Sequence, residues 1–261
     1  MFDAERFEKL LETRWLGHGG HFFEELPSTN SYMKEQPASG ITHGMLCLAD
    51  HQTRGRGQYE RSWETEAGCN LTFTLCFRPP RVDRLHVLTL TCALALLREM
   101  EKELGEGEVT LKWPNDVLVG ERKAAGLLTE TVFNGNRLDR VLVGIGLNVN
   151  QERFPGELGE TATSMRRVKG DEIDREALLA RLLSRLEYEY GRWNRNKTDL
   201  LREINRSLRG YGQWVRLQVN GERWDDTYKF LGVSEAGRLL VVDHDGGLKS
   251  FSYEQIRLVP A

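Results

Sequence analysis

Apolar residues recur at helical spacing near Ala4 to Trp15, predicting a short amphipathic helix, and an extended piece follows at His21 to Leu26. "LPSTNSYMKE" then reads as a helix start with Ser28 or Thr29 as N-cap, since a hydroxyl there accepts from the unpaired amides of the first turn. "GMLCLAD" at 44–50 and "CNLTFTLCF" at 69–77 read as strands, the second alternating at period two through Leu71, Phe73 and Leu75. Residues 83–104 predict a long apolar helix closed by the "GEG" turn at 105–107. "VTLKWPNDVLVG" at 109–120 breaks at Trp113-Pro114, because a residue before proline avoids helical geometry and Pro-Asn-Asp favours a turn. "KAAGLLTETVF" and "RVLVGIGLNVN" read as a strand pair joined at Asn134-Gly135. Residues 174–195 predict a second long helix with Leu178, Leu179, Leu182, Leu183, Leu186 and Tyr190 on one face. Beyond residue 211 the pattern changes to short strands, "QWVRLQV", "RWDDTYKF", "RLLVVD" and "LKSFSY", separated by Asn-Gly and Asp-Gly-Gly turns. The expectation is an α+β protein: a mixed central sheet flanked by helices over 1–210, and a small antiparallel β-barrel over 211–261.

A chain of 261 residues, 39% hydrophobic, supports one sizeable core and a small second module. Its net charge of −3 argues against a general cationic surface for nucleic acid, so any phosphate chemistry must be local. The N-terminus carries acids and no uninterrupted apolar region, unlike a secretory signal. The longest uncharged stretch, Leu85 to Leu97, lies between Arg84 and Arg98 and is too short to span a bilayer. Cys47, Cys69, Cys76 and Cys92 sit in apolar contexts without C-x-x-C spacing, as reduced core residues would. These features predict a soluble, cytoplasmic protein with no membrane partner.

Between the first two strands of the sheet runs "DHQTRGRGQYERSWETEAG", residues 50–68, longer than the roughly 12–15 residues at which a structureless connection becomes unusual. Gly55 and Gly57 permit close backbone approach, Arg54, Arg56 and Arg61 are permanent cations, and Trp63 offers a flat face. That set suits an anionic ligand bearing a ring; it is equally compatible with a solvated surface loop. No G-x-x-x-x-G-K-[ST] is present, and Gly144-Ile145-Gly146 is followed by neither a third glycine nor a helix, which disfavours a dinucleotide fold. "STN" at 28–30, "KWPND" at 112–116 and "RKAAGLL" at 122–128 each have an ordinary structural reading as cap, turn and strand.

Taken in order, "STN", "QTRGRGQYERSW", "KWPND", "RKAAGLL", "GIGLNVN" and "ATS" at 162–164 closely resemble the biotin protein ligases, the biotin–[acetyl-CoA-carboxylase] ligase family, from about residue 22 to the end. The resemblance implies a class II synthetase-like ligase domain with a C-terminal SH3-like barrel. It implies ATP-dependent formation of biotinyl-5′-adenylate, with Mg2+ on the phosphates, and transfer of biotin to a lysine of a biotin carboxyl carrier protein. A lipoate ligase or octanoyltransferase, and a non-catalytic nucleotide-responsive module, are the rival readings.

Carried over by position, Ser28, Thr29 and Asn30, with Gln52 beside them, resemble the contacts to the ureido ring of biotin. Arg56 and Gly57 resemble the loop positions that meet carboxylate and phosphate, and Gln58 adjoins them. Lys123 resembles the lysine bridging the biotin carboxylate and the α-phosphate, so it and Arg56 are the implied catalytic cations. Gly126 and Leu128 would line the biotin tail. Trp63, Asn115 and Asn148 resemble nucleotide contacts, joined by Arg56, Arg61 and Lys112; Asp116 would orient or deprotonate the acceptor lysine. No residue is assigned as a protein-held metal ligand. The loop at 50–68 would be mobile when empty and ordered by ligand. Many members carry a basic residue where this chain has Gln58 and a glycine where it has Glu60, which predicts weaker retention of the adenylate. About 20 residues precede the resembling region, too few for the winged helix-turn-helix of relatives that repress transcription, so DNA is not an expected partner. The sheet of such ligases can pair across a dimer, making a homodimer possible.

Overall fold

The computed structural model describes residues 1–261 except Arg81, Asp83, 253–255, Pro260 and Ala261, and leaves the side chains of Glu60 and Val259 undescribed. In chain order the elements are α1 (Ala4–Leu10), β1 (His21–Leu26), α2 (Thr29–Glu35), β2 (Leu46–Gln52), β3 (Leu71–Phe77), α3 (Leu85–Leu104), β4 (Val109–Lys112), β5 (Asp116–Val119), β6 (Arg122–Asn134) and β7 (Arg137–Leu147). They continue with α4 (Leu158–Thr161), α5 (Met165–Lys169), α6 (Arg175–Asn194), α7 (Thr198–Ser207) and β8 (Trp214–Val219). The last four are β9 (Glu222–Val233), β10 (Leu239–Val242), β11 (Leu248–Phe251) and β12 (Ile256–Val259).

The first sheet has seven strands in the order β1-β2-β3-β7-β6-β5-β4, parallel only between β1 and β2. It is the mixed sheet that the alternation predicts. α3 and α6 pack together, with α3 lying along β4, β5 and β6, and bury Leu88, Leu94, Leu97, Leu179, Leu183 and Leu186 completely or nearly so. At ~1.5–3 kcal/mol per fully buried large apolar side chain, this layer is the main source of stability. α2 packs against β2, β3 and β7 and carries a second, smaller apolar cluster with Met33, Ile41, Cys47 and Cys76. That short helix leaves much of its side of the sheet open for a site.

The second sheet is antiparallel, five-stranded and SH3-like, in the order β11-β10-β9-β8-β12. Its inner residues Leu217, Phe230, Leu239, Val241 and Ile256 are continuous with the main core. Asn205 on α7 ties the two parts together, donating to Val233 O at 3.2 Å and accepting from Val233 N at 2.8 Å.

Several elements differ from the periodicity, among them the short helices α4 and α5, which no apolar pattern announces. The first helix ends at Leu10 rather than near Trp15, because the Glu187 carboxylate of α6 accepts the amides of Arg14, Trp15 and Leu16 at 3.0 Å and draws the chain out of helical geometry. α7 was not visible as a helix: it lacks a side-chain N-cap and shows only Leu200 and Ile204 as buried residues. β12 is four residues long and completes the second sheet beside β8. The long apolar helix begins at Leu85, and the expected positions Asp83 and Tyr253 lie outside the described residues.

Residues 1–20 pack onto the domain rather than standing apart. Phe2, Phe7 and Phe22 form one aromatic group, and Asp50, buried under it, accepts from Phe2 N and from Arg175 at 2.7 Å each. Among the described residues no helix is long and apolar enough to cross a membrane.

Candidate active site

Directly paired residues on neighbouring strands point to the same face of a sheet, so the register fixes what lines the α2 side. One row runs Ala49, Thr72, Gly146, Gly126, Asp116, Lys112 across β2, β3, β7, β6, β5 and β4. The next runs Cys47, Thr74, Gly144, Leu128. Three glycines in adjoining positions leave a shallow trough in this floor. A Cβ on Gly144 would stand 2.3 Å from Asn30 Oδ1 and one on Gly146 would stand 2.2 Å from the Trp63 indole, while one on Gly126 would press on the flexible end of Lys123 at 2.9 Å.

Lys123 reaches this face because of a β-bulge. Leu118 pairs with Lys123 and Val117 with Ala125, so Ala124 is an extra residue on β6. Three positions from Gly126, Lys123 would otherwise face α3; the inserted residue rotates it back. Its Nζ lies 2.6 Å from Asp116 Oδ1 and 5.4 Å from the centroid of the Trp63 ring. Lys112 is on the same face, exposed, at the end of the row. Asn115, in the turn containing the cis Trp113-Pro114 bond, accepts from Leu127 N at 2.9 Å and donates its Nδ2 to Leu127 O at 2.6 Å, which holds Asp116 against β6.

At the other end of the trough α2 brings its N-terminus down. Ser28 is the N-cap and accepts from Ser31 N. Thr29 donates through its amide and its hydroxyl to Gln52 Oε1, at 2.7 and 3.1 Å. Asn30 donates to Leu128 O at 3.2 Å and Glu130 Oε2 at 2.9 Å, and its Oδ1 accepts from Thr74 at 2.6 Å. Ser28, Thr29, Asn30 and Gln52 are all buried. The sequence set aimed at a small polar group is thus one connected cluster.

The Gly-Arg run is not a bare connection. β2 extends through Gln52, and the loop closes on itself through Gly57 N to Arg61 O at 2.7 Å and Trp63 N to Gly55 O at 2.9 Å, around a short 3-10 turn at Gln58–Glu60. A Cβ on Gly55 would stand 2.2 Å from Trp63 O, so the glycine makes this closure possible. Arg56 crosses the trough to Glu130 Oε2 at 2.8 Å. Burial pushes the Glu130 carboxyl up, but the hydrogen bond from Asn30 and the charges of Arg56 and Lys34 outweigh it and hold it below the usual range. Arg61 lies exposed on the returning arm. Tyr59 reaches the second sheet, with the Arg257 guanidinium 4.9 Å from its ring centroid.

Most of the expected residues therefore meet on one face, and Trp63, Asn148 and Gln58 each have distinct neighbours there. Trp63 lies on the glycine floor beside Gly126, with its indole nitrogen buried and lacking a protein partner. Asn148 spends its amide on Thr163 O at 3.0 Å, tying the "ATS" segment to β7. Gln58 lines a cleft of about 510 Å³ together with Leu85, Pro114, Asn115 and Arg238 of the β9–β10 connection. The side chain of Glu60 lies outside the described residues. Conversely, Thr72, Thr74 and Glu130 line this face without a signal in the sequence, and Gly144 and Gly146, noted there only as an incomplete dinucleotide motif and as part of "GIGLNVN", form its floor. Two glycines spaced by two in a strand pattern, Gly144 and Gly146, were the available signal, since that spacing puts both on one face.

A model of the biotin/lipoate A/B protein ligase family matches residues 22–148. The bifunctional ligase/repressor BirA of Bacillus subtilis is 31% identical over 247 residues, covering 93% of this chain and 75% of that protein. The chain belongs to the biotin/lipoate A/B protein ligase family. The biotin–[acetyl-CoA-carboxylase] ligase of Mycobacterium tuberculosis is 32% identical, with 82% of each chain covered. A solved structure of the biotin protein ligase of Aquifex aeolicus in complex with biotin and ATP superposes with a TM-score of 0.81 at 28% identity, covering 94% of this chain and 100% of that one. Within the family, the glycine floor, the bulged lysine strand and the Arg-bearing loop are the parts of this chain from which a site can be built.

Proposed function

We propose that this chain is an ATP-dependent ligase that joins biotin to a lysine of a biotin carboxyl carrier protein through biotinyl-5′-adenylate. The observation that carries the reading is Lys123, turned by a bulge onto a glycine-floored trough whose far end is a buried polar cluster. A ligand with a polar ring at one end, an apolar tail and a terminal carboxylate fits that layout. The ring would sit at Ser28, Thr29, Asn30 and Gln52, the tail along Gly126, Leu128 and Trp63, and the carboxylate at Lys123, with Gly57 and Gln58 in the covering loop.

In the first step a biotin carboxylate oxygen attacks the α-phosphorus of ATP and pyrophosphate leaves. Two anions must approach, and Lys123 and Arg56 offset their repulsion; a positioned donor of this kind is worth roughly 3–4 kcal/mol in the transition state. ATP would be held by Arg61, Lys112, Asn115 and Asn148, with Trp63 at its edge. Magnesium would enter with the nucleotide as Mg-ATP, since Mg2+ on nucleotide phosphates needs only one or two carboxylates. In the second step the acceptor lysine amine attacks the acyl carbon, AMP leaves, and the amine loses a proton, which Asp116, paired with Lys123 at 2.6 Å, would accept. Closure of the Arg-bearing loop would keep water from the mixed anhydride. Cytoplasmic action suits the four free cysteines, of which Cys47, Cys76 and Cys92 are buried with thiols pushed up to about 12, 11 and 12 by desolvation.

Incubation with biotin, Mg-ATP and a carrier domain, read by mass spectrometry, tests the reading. One biotinyl group added to the carrier is expected. Turnover of lipoate or octanoate in place of biotin would select the neighbouring acyl-transfer activity, and no pyrophosphate release with any of them would leave only a binding module.

A further inference from the structure

Glu130 stands outside every role assigned so far, yet three elements converge on it. It projects from β6 onto the binding face, two residues beyond Leu128. Its Oε2 accepts from Asn30 Nδ2 at 2.9 Å and from Arg56 at 2.8 Å, and its Oε1 lies 3.4 Å from Lys34 Nζ. The carboxylate is largely buried while Arg56 and Lys34 are substantially exposed. One group on the rigid sheet therefore holds both a buried amide of α2 and the crossing arm of the loop.

We propose that Glu130 is a positioning residue for biotin binding, clipping the Arg56 loop across the trough and fixing which end of the Asn30 amide faces the ligand. This rests on the ligase reading above. Both amide hydrogens of Asn30 are spent on Leu128 O and Glu130, so its acceptor end is turned to Thr74 and the floor at Gly144. Oδ1 keeps a second lone pair, complementary to an N–H donor such as a ureido group and not to an acceptor. The Arg56 pair is charge-assisted and anchored at a partly buried carboxylate, so it is stronger than an exposed surface pair and holds the loop closed over that end.

Two substitutions separate the two functions. Glu130→Gln keeps shape and an oxygen for Asn30 but loses the charge that holds Arg56; Glu130→Met loses both. The expected order of biotin KM is wild type, then Gln at about tenfold higher, then Met higher still. Trypsin cleavage after Arg54, Arg56 or Arg61 in the ligand-free protein should be several-fold faster in both variants, a readout independent of activity. If the Glu130 variants do not fold, Arg56→Gln opens the same pair from the loop side, with Arg54 and Arg61 still reporting cleavage. A variant that only melts at lower temperature, with biotin KM and loop cleavage within about twofold of wild type, overturns the proposal. Absence of biotin binding by the wild type would instead overturn the ligase reading, so the two failures are distinct.

Discussion

Asn30 and Gly144 meet face to face across the gap between α2 and β7, so close that a methyl group on the glycine would stand 2.3 Å from Asn30 Oδ1. Gly144→Ala must therefore move a side chain whose every polar atom is engaged, in a region where overpacking costs about 1–3 kcal/mol. Calorimetry with biotin is expected to show binding weakened at least tenfold, while the second sheet, far along the chain, keeps its tryptophan environment. Unchanged affinity would mean that α2 can retreat freely and that its polar cluster does not set the pocket.

Lys123→Ala is expected to lower the adenylation rate by roughly 10²–10³, the usual effect of removing one positioned charge from a developing anionic centre. Its side chain is about one-third exposed and ion-paired with the partly exposed Asp116, so the fold should survive. Pyrophosphate release, with circular dichroism as control, checks both halves. Near-normal turnover in the variant would remove Lys123 from the chemistry.

Gln58→Arg adds a permanent cation to the loop. Slower release of biotinyl-5′-adenylate is expected, measured by chasing the labelled intermediate from the enzyme. Because Gln58 lines the cleft shared with Asn115 and the β9–β10 connection, an unaltered off-rate would show that the loop keeps that place when loaded.

Arg175 and Asp50 form a buried pair far from Lys123, with side-chain exposures of 8% and 6%. Arg175→Met leaves a buried carboxylate short of its main counter-charge and is predicted to destabilise the protein by about 3–5 kcal/mol. Urea unfolding at pH 7 measures this. A loss well under 1 kcal/mol, a surface-pair value, would contradict the buried geometry.

Acid should reveal a different pair. The Arg6 hydrogen bond first, and then the Ala177 amide, hold the Asp174 carboxyl down from 3.8 to about 2, against a smaller upward push from burial. A carboxyl with a depressed folded pKa stabilises above its unfolded value and loses that contribution as pH falls from about 4 through 2. Asp174 is 41% exposed, so solvent screening limits the effect to about 1 kcal/mol. Asp174→Asn should cost that much at pH 6, only a small part of it at pH 2 and almost nothing at pH 1, and a pH-independent difference would rule the linkage out.

The sequence by itself determined the order of the long helices and most strands, because apolar periodicity records which faces are buried, but not α4, α5, α7 or β12; it also held most of the polar cluster, because "STN", the Gly-Arg loop and "RKAAGLL" lie in local patterns. It could not see that Gly144 and Gly146 are the floor on which Asn30 and Trp63 rest, since that depends on register among β3, β7 and β6. Nor could it see that Ala124 is an inserted residue turning Lys123 to the binding face, or that Glu130 joins Asn30 to Arg56 over separations of 100 and 74 residues. Those relationships are non-local: strand pairing and packing choose them, and no short window of the chain contains both partners. The local code supplied the groups, and the folded sheet decided which of them share a face.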